Sequence, residues 1–189
     1  MKTRLNEFVA VNPRFARSAN IERDKGVEAL RGYVPTGRAI DVVRRVGLGL
    51  QDSAAGRTFS ITGPHGGGKS SMALFLGALL ADRKGAEHKT AFDLLRDVDD
   101  EAAQILLQGL EAVSPSGKGF ARALVTASRE QVGETLTRAI RQLKSAKTAR
   151  TTKQSTVEVL GRFAKSTPTL IIIDEFGKNL EAFAEGDAE

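Results

Sequence analysis

Apolar residues recur at helical spacing at Ile40, Val43 and Val46, behind Pro35 and Thr36, the second a residue type that caps helix N-termini. This pattern predicts an amphipathic helix ending near Gly47 or Gly49. Met1 to Gly32 is charged and weakly periodic, and reads as an irregular lead-in. After Gly56 breaks the chain, RTFSIT (57–62) has the length and content of a short strand carrying Phe59 and Ile61. KSSMALFLGALLADRK (69–84) is apolar nearly all round, as a helix buried beneath a sheet must be.

The segment from Ala91 to Val113 reads as helical and acidic in its first half, and SPSGKG (114–119) as a loop. FARALVTA (120–127) predicts a second strand. Ser128 and Gln131 form a capping-box pair opening a helix over 129–146, and Ser155 and Glu158 repeat the device before VEVLGRFAK. Pro168 ends that segment. TLIIIDEFG (169–177) is a third strand without polar alternation, the pattern of a central parallel strand covered by helices on both faces. The expected fold is α/β with a mostly parallel sheet.

Composition removes several chemistries. The 189 residues include no cysteine, which excludes disulfides, thiolate metal sites and cysteine nucleophiles. His65 and His88 are too few for a histidine-built metal site. The N-terminus has positive charge but no apolar signal region, and the longest apolar run, LIII (170–173), is far too short to span a bilayer. A cytoplasmic protein without membrane contact is expected. The net charge of +5 permits a nucleic-acid partner.

The glycine-rich stretch GPHGGGKSS, Gly63 to Ser71, admits two readings, a phosphate loop or the HGGG turn of an esterase oxyanion hole. The esterase reading needs a G-x-S-x-G elbow, and the chain has none. Gly63, Pro64, His65, Gly66, Gly67, Gly68, Lys69 and Ser70 fit G-x-x-x-x-G-K-[ST] without departure, between a predicted strand and a predicted helix. That context gives converging amides, a positive helix end, a lysine for the β- and γ-phosphates and a hydroxyl for Mg²⁺. His65 reads as a surface residue of the loop. In LIIIDE (170–175), a hydrophobic strand delivers Asp174 to the Mg²⁺ shell beside the phosphate-loop strand, and Glu175 is placed to act as general base.

These residues resemble the ASCE branch of P-loop NTPases, which includes AAA+ and RecA-like ATPases and carries a glutamate next to the Walker B aspartate. The resemblance covers Arg57–Ser71 and Thr169–Gly177. It implies a three-layer P-loop core over residues 51–189, preceded by an arm and helix over 1–50. It also implies ATP and Mg²⁺ as ligands, Lys69 and Glu175 as catalytic groups, and a homo-oligomer or larger ATPase complex as the working state. ATP in preference to GTP comes with the resemblance, and no N-K-x-D guanine-reading motif appears. RSANIERD…GYVPT, FSITGPHGGGKSS and IIIDEFGKNLE also look like large ATPases of BREX-like bacterial antiphage systems. The family places a sensor strand and an arginine finger beyond Walker B. Three candidate strands do not complete its five-stranded sheet, so an N-terminal fragment is expected in preference to a sheet completed by a partner.

Three further features lie outside these motifs. Basic residues recur every third position at Arg138, Arg141, Lys144, Lys147, Arg150 and Lys153. On a helix this spacing drifts about 60° per step, so the charges spiral and suit a solvated linker better than a DNA-binding stripe. Tyr33 reads as an anchor for the lead-in more readily than as an adenine contact. Asp99, Asp100 and Glu101 point in different directions on a helix and suit its negative start, not a metal site.

Overall fold

The computed structural model describes residues 18–52, 54, 56–143 and 156–186. The fold is mixed α/β, with a two-stranded parallel sheet. The Thr36 hydroxyl accepts from the Ala39 N–H at 3.3 Å and opens α1 (Gly37–Gln51). The helix runs through Gly47 and Gly49 instead of stopping there. The reason at Gly47 is packing against α4 (Asp100–Val113). A Cβ on Gly47 would lie 2.9 Å from Leu106 Cα, and one on Gly109 would lie 2.5 Å from the Gly47 carbonyl oxygen. Two backbones touch here, which offsets the roughly 1 kcal/mol that each helical glycine costs in propensity.

The acidic region is two helices, not one. α3 (Ala86–Val98) starts five residues earlier than Ala91 and gives way to α4 at Asp99. The Asp99 carboxylate accepts from the Ala102 N–H at 2.8 Å and from both-oxygen contact with Arg44 Nη2 at 2.8 and 3.0 Å. The Arg44 hydrogen bonds, then the helix amide, hold its carboxyl below the usual range. The acidic run is therefore a helix start, as its charge suggested.

α2 (Lys69–Leu79) is the hub, buried from Met72 to Leu79. Where it is described, the lead-in is irregular apart from one short 3-10 turn, as expected, but it packs on α2 instead of standing off as an arm. Ile21 and Ala29 pack on Ala73 and Leu74, and a 3-10 turn at Val27–Leu30 buries Leu30. Tyr33 lies with its ring centroid 4.9 Å from that of Phe75, and burial pushes its hydroxyl up to about 12. It is an anchor, while Val34 is exposed. His88, seen in sequence only as a residue of a charged stretch, is buried in α3. Its Nδ1 meets the Leu79 carbonyl at 2.8 Å and its ring stacks on Phe92.

β1 (Ala121–Thr126) pairs with β2 (Thr169–Asp174), Ala121 opposite Thr169 and Thr126 opposite Asp174. Side chains alternate across the sheet. Leu170 and Ile172 pack on the cluster that contains α2, while Ile171 and Ile173 meet Ala123, Val125 and Ala139 of α5 (Val132–Leu143). The Ser128–Gln131 capping box does not form, because α5 begins at Val132 with the Glu134 and Thr135 N–H groups on the Gln131 carbonyl. α6 (Thr156–Ser166) precedes β2 and α7 (Gly177–Gly186) follows it. Ser155 lies outside the described residues.

Two expectations about the sheet are corrected. Arg57–Thr62 forms no ladder and is exposed throughout, so the strand predicted there is not a strand among the described residues. β2 accordingly lies beside β1 and not beside a phosphate-loop strand. A strand exists only through its partner's hydrogen bonds, and among the described residues this segment has α1 beside it, through Arg57 and Gly49, but no strand paired with it. β2 is also half-buried along its whole length, where its composition predicts a central strand.

The far edge of β1 is closed by side chains. The Gln142 amide receives the Leu124 N–H at 3.0 Å and donates to the Leu124 carbonyl at 3.1 Å. The Thr126 N–H donates to Glu22 at 2.7 Å, and Arg138 donates to the Thr126 carbonyl at 2.9 Å.

Candidate functional site

The glycine-rich loop is built by its backbone conformations. Gly66 and Gly68 have φ of 75° and 79°, the left-handed region that suits glycine, and the Gly67 N–H closes a turn on the Pro64 carbonyl at 3.2 Å. A Cβ on Gly67 would lie 3.0 Å from that same oxygen. Gly68 is the N-cap of α2 and offers no side chain to it. α1 and α4 are capped by Thr36 and Asp99, so α2 presents an uncapped positive end to the loop. Gly63 through Gly68 are exposed, His65 among them, and Lys69, Ser70 and Ser71 are half-buried.

The Lys69 ammonium donates to the Gly63 and Pro64 carbonyls, both at 2.8 Å, so its charge is held inside the curve of the loop. Ser70 faces the sheet. Its hydroxyl donates to Asp174 Oδ2 at 2.6 Å, joining the first turn of α2 to the C-terminal end of β2. The other carboxylate oxygen of Asp174 accepts the Glu175 N–H at 3.0 Å. Lys69, Ser70 and Asp174, read separately from two distant motifs, are thus brought to one place.

Glu175 ends β2 in an unusual way. Its φ is 56°, the one positive value at a non-glycine among the described residues. Such a residue carries backbone strain that its surroundings must hold. Here the Lys178 N–H returns to the Glu175 carbonyl at 2.9 Å, and the Lys178 ammonium pairs with the Glu175 carboxylate. Lys178 was missed in sequence, although its spacing of three from Glu175 was the available signal.

Asn179 was missed as well. It is 1% exposed, and its Nδ2 donates to the Glu130 carbonyl at 2.7 Å and to Thr135 Oγ1 at 3.0 Å. This pins the start of α7 to the loop after β1. The Glu130 carboxylate there is held low, first by the Thr135 hydroxyl at 2.7 Å and then by Arg138. Arg138 also pairs with Glu22, so the first basic residue of the expected spiral is a structural tie. Arg141 is exposed on α5, and Lys144, Lys147, Arg150 and Lys153 lie outside the described residues.

An open groove of about 1420 Å³ runs from the loop along β2, with Arg57–Gly63 on one side, Thr169–Ile173 on the other and Met72 and Leu76 of α2 among its lining. No helix among the described residues is long and apolar enough to cross a membrane. No protein-family model, curated protein or solved structure matches the chain.

Proposed function

We propose that the chain is the nucleotide-binding part of a three-layer P-loop NTPase that binds ATP with Mg²⁺ and hydrolyses it to drive a larger assembly. The observation that carries this reading is the 2.6 Å contact between Ser70 and Asp174, residues 104 positions apart. A chance G-x-x-x-x-G-K-[ST] match has no reason to meet a chance hydrophobic strand ending in a carboxylate. The uncapped end of α2 and the left-handed glycines of the loop add the concave, donor-rich surface that phosphate groups require.

The residues fit the ligands. Ser70 and Asp174 are oxygen donors of the kind Mg²⁺ takes, and Mg²⁺ normally completes its shell with phosphate oxygens and water. Among the described residues there is no cluster of three or more histidine and carboxylate groups for a metal, and this mode of binding needs none. Bound Mg²⁺ supplies charge that offsets the negative charge developing on the phosphates. With ATP and Mg²⁺ bound, Lys69 would exchange its two carbonyl partners for phosphate oxygens, and Ser70 and Asp174 would hold the cation. Glu175, freed from Lys178, would accept the proton of the water whose oxygen bonds to the γ-phosphorus as the bond to the β,γ-bridging oxygen breaks and ADP leaves. The assembly driven belongs to DNA-related work or antiphage defence, in keeping with the likeness to BREX-like ATPases.

A second reading, a nucleotide-gated switch or scaffold with little turnover, is favoured by one observation. Glu175 is engaged by Lys178 in the first turn of the following helix, α7, and not held toward the loop. Both readings share the binding step, so binding is the first test. Isothermal titration with Mg-ATP is expected to show one site in the wild-type chain and none in Lys69→Ala. Equal affinity in the two would remove the phosphate-loop assignment.

A further inference from the structure

We infer that Lys178 is a positioning residue for the proposed hydrolysis, a latch that holds Glu175 off the phosphate loop and keeps the basal rate low. The inference rests on the nucleotide reading and names its regulation. It begins with backbone conformation. A φ of 56° suits glycine or asparagine, yet the turn from β2 to α7 places a glutamate there, with a glycine available two residues on at Gly177. Backbone strain kept at such a position points to a use for the side chain.

The turn around Glu175 is tied at each step. Its N–H donates to Asp174 Oδ1 at 3.0 Å, its carbonyl accepts the Lys178 N–H at 2.9 Å, and the Phe176 carbonyl accepts the Asn179 N–H at 3.0 Å. Asn179, 1% exposed, then fixes the first turn of α7 to the loop after β1, through the Glu130 carbonyl at 2.7 Å and the Thr135 hydroxyl at 3.0 Å. Lys178 is the residue before this anchor. Its backbone stays with the β1 loop, so turning the Glu175 carboxylate toward the phosphate loop works against the ion pair.

Lys178 has this role to itself. Among the described residues no other cation pairs with Glu175, since Lys69 is held by the Gly63 and Pro64 carbonyls and Arg129 by Glu181 and Glu185. The Lys178 and Glu175 side chains are 47% and 48% exposed, so their pair is of the weak, solvent-screened kind. A weak pair suits a device that sets a rate. It lowers the fraction of molecules with a free base by about two- to fivefold and does not lock the site. The same glutamate then gives slow hydrolysis while Lys178 holds it and faster hydrolysis when the ammonium is displaced, which joins the enzyme and switch readings in one residue pair.

Single-turnover hydrolysis of Mg-ATP, with protein in excess, tests this. Lys178→Met should raise the rate about two- to fivefold while the Kd for Mg-ATP stays within about twofold. Lys178→Arg, which keeps a cation, should return the rate to that of the wild type. In a Glu175→Gln background Lys178→Met should give no gain, because the effect runs through the carboxylate. A second readout needs no turnover: the carbon-13 resonance of the Glu175 carboxylate in the nucleotide-free chain, assigned by its loss in Glu175→Gln, should move in Lys178→Met. An unmoved resonance, an equal or slower rate in Lys178→Met, no hydrolysis in either protein, or a gain that survives Glu175→Gln would overturn the latch. A wild type that does not bind Mg-ATP would remove the nucleotide reading itself and the latch with it, whereas binding and Glu175-dependent turnover that ignore Lys178 would remove the latch alone.

Discussion

Ser70 and Asp174 share one hydrogen bond, while Glu175, the next residue, turns away through a left-handed backbone to pair with Lys178. Adjacent carboxylates thus stand in different environments, which separates their expected roles. Asp174→Asn should weaken Mg-ATP binding, because an amide oxygen is a poorer ligand for Mg²⁺ than a carboxylate. Glu175→Gln should leave binding within about twofold and remove turnover, since its amide cannot accept the proton. Turnover is best measured with the assembly that supplies any missing arginine. Wild-type rates in Glu175→Gln would exclude it as the base, and a tightly binding wild type that never turns over would favour the switch.

Helix packing gives a second, independent expectation. Gly109→Ala places a methyl group 2.5 Å from the Gly47 carbonyl oxygen, so α1 and α4 must separate. A loss of about 1–3 kcal/mol is expected in urea denaturation. Gly133→Ala on α5 meets nothing within 4 Å and should be neutral or stabilising by about 0.5 kcal/mol. Similar effects at the two positions would contradict the close crossing.

Acid sensitivity should begin at His88. Burial pulls its imidazole below the ordinary value of 6.5, so the unfolded chain takes up the proton first as the pH falls. This contribution to stability is intact above about pH 6.5 and declines below it. Asp99 and Glu130, held low by their partners, lose their contribution only in more acid solution, below about pH 4. The urea midpoint of the wild type should therefore drop between pH 6.5 and 5, and that of His88→Gln should drop less. Parallel curves would count against the buried imidazole.

DNA contact, where it occurs, should fall on the basic residues beyond α5, because Arg138 is occupied by Glu22 and Glu130. Replacing Lys144, Lys147, Arg150 and Lys153 with glutamine should flatten the dependence of log Kd on log salt. Absence of any wild-type shift at low salt would leave the tract as a solvated linker.

What could be read in advance was local. GPHGGGKSS and LIIIDE each carry their chemistry within a few residues, and β1, β2 and the buried α2 followed from apolar pattern alone. The misreadings concern residues whose role a distant partner decides. Gly47 has the look of a helix stop until Gly109 is seen against it. Asp99 sits in an unbroken helical pattern, and Arg44, 55 positions away, helps to fix it as a cap. RTFSIT has the content of a strand, but among the described residues no strand pairs with it. Asn179 gave no signal, since its partners lie 44 to 51 positions upstream.

The Gln142 amide sets a limit on how this protein can multiply. Its oxygen and nitrogen sit on Leu124 as a neighbouring peptide group would, so the side chain acts as a counterfeit strand one residue long. A fibre that grows edge to edge consumes two adhesive edges per molecule, one to receive and one to offer. Among the described residues the outward peptide groups of Leu124 and Thr126 are already taken, so such a fibre could not be extended through β1.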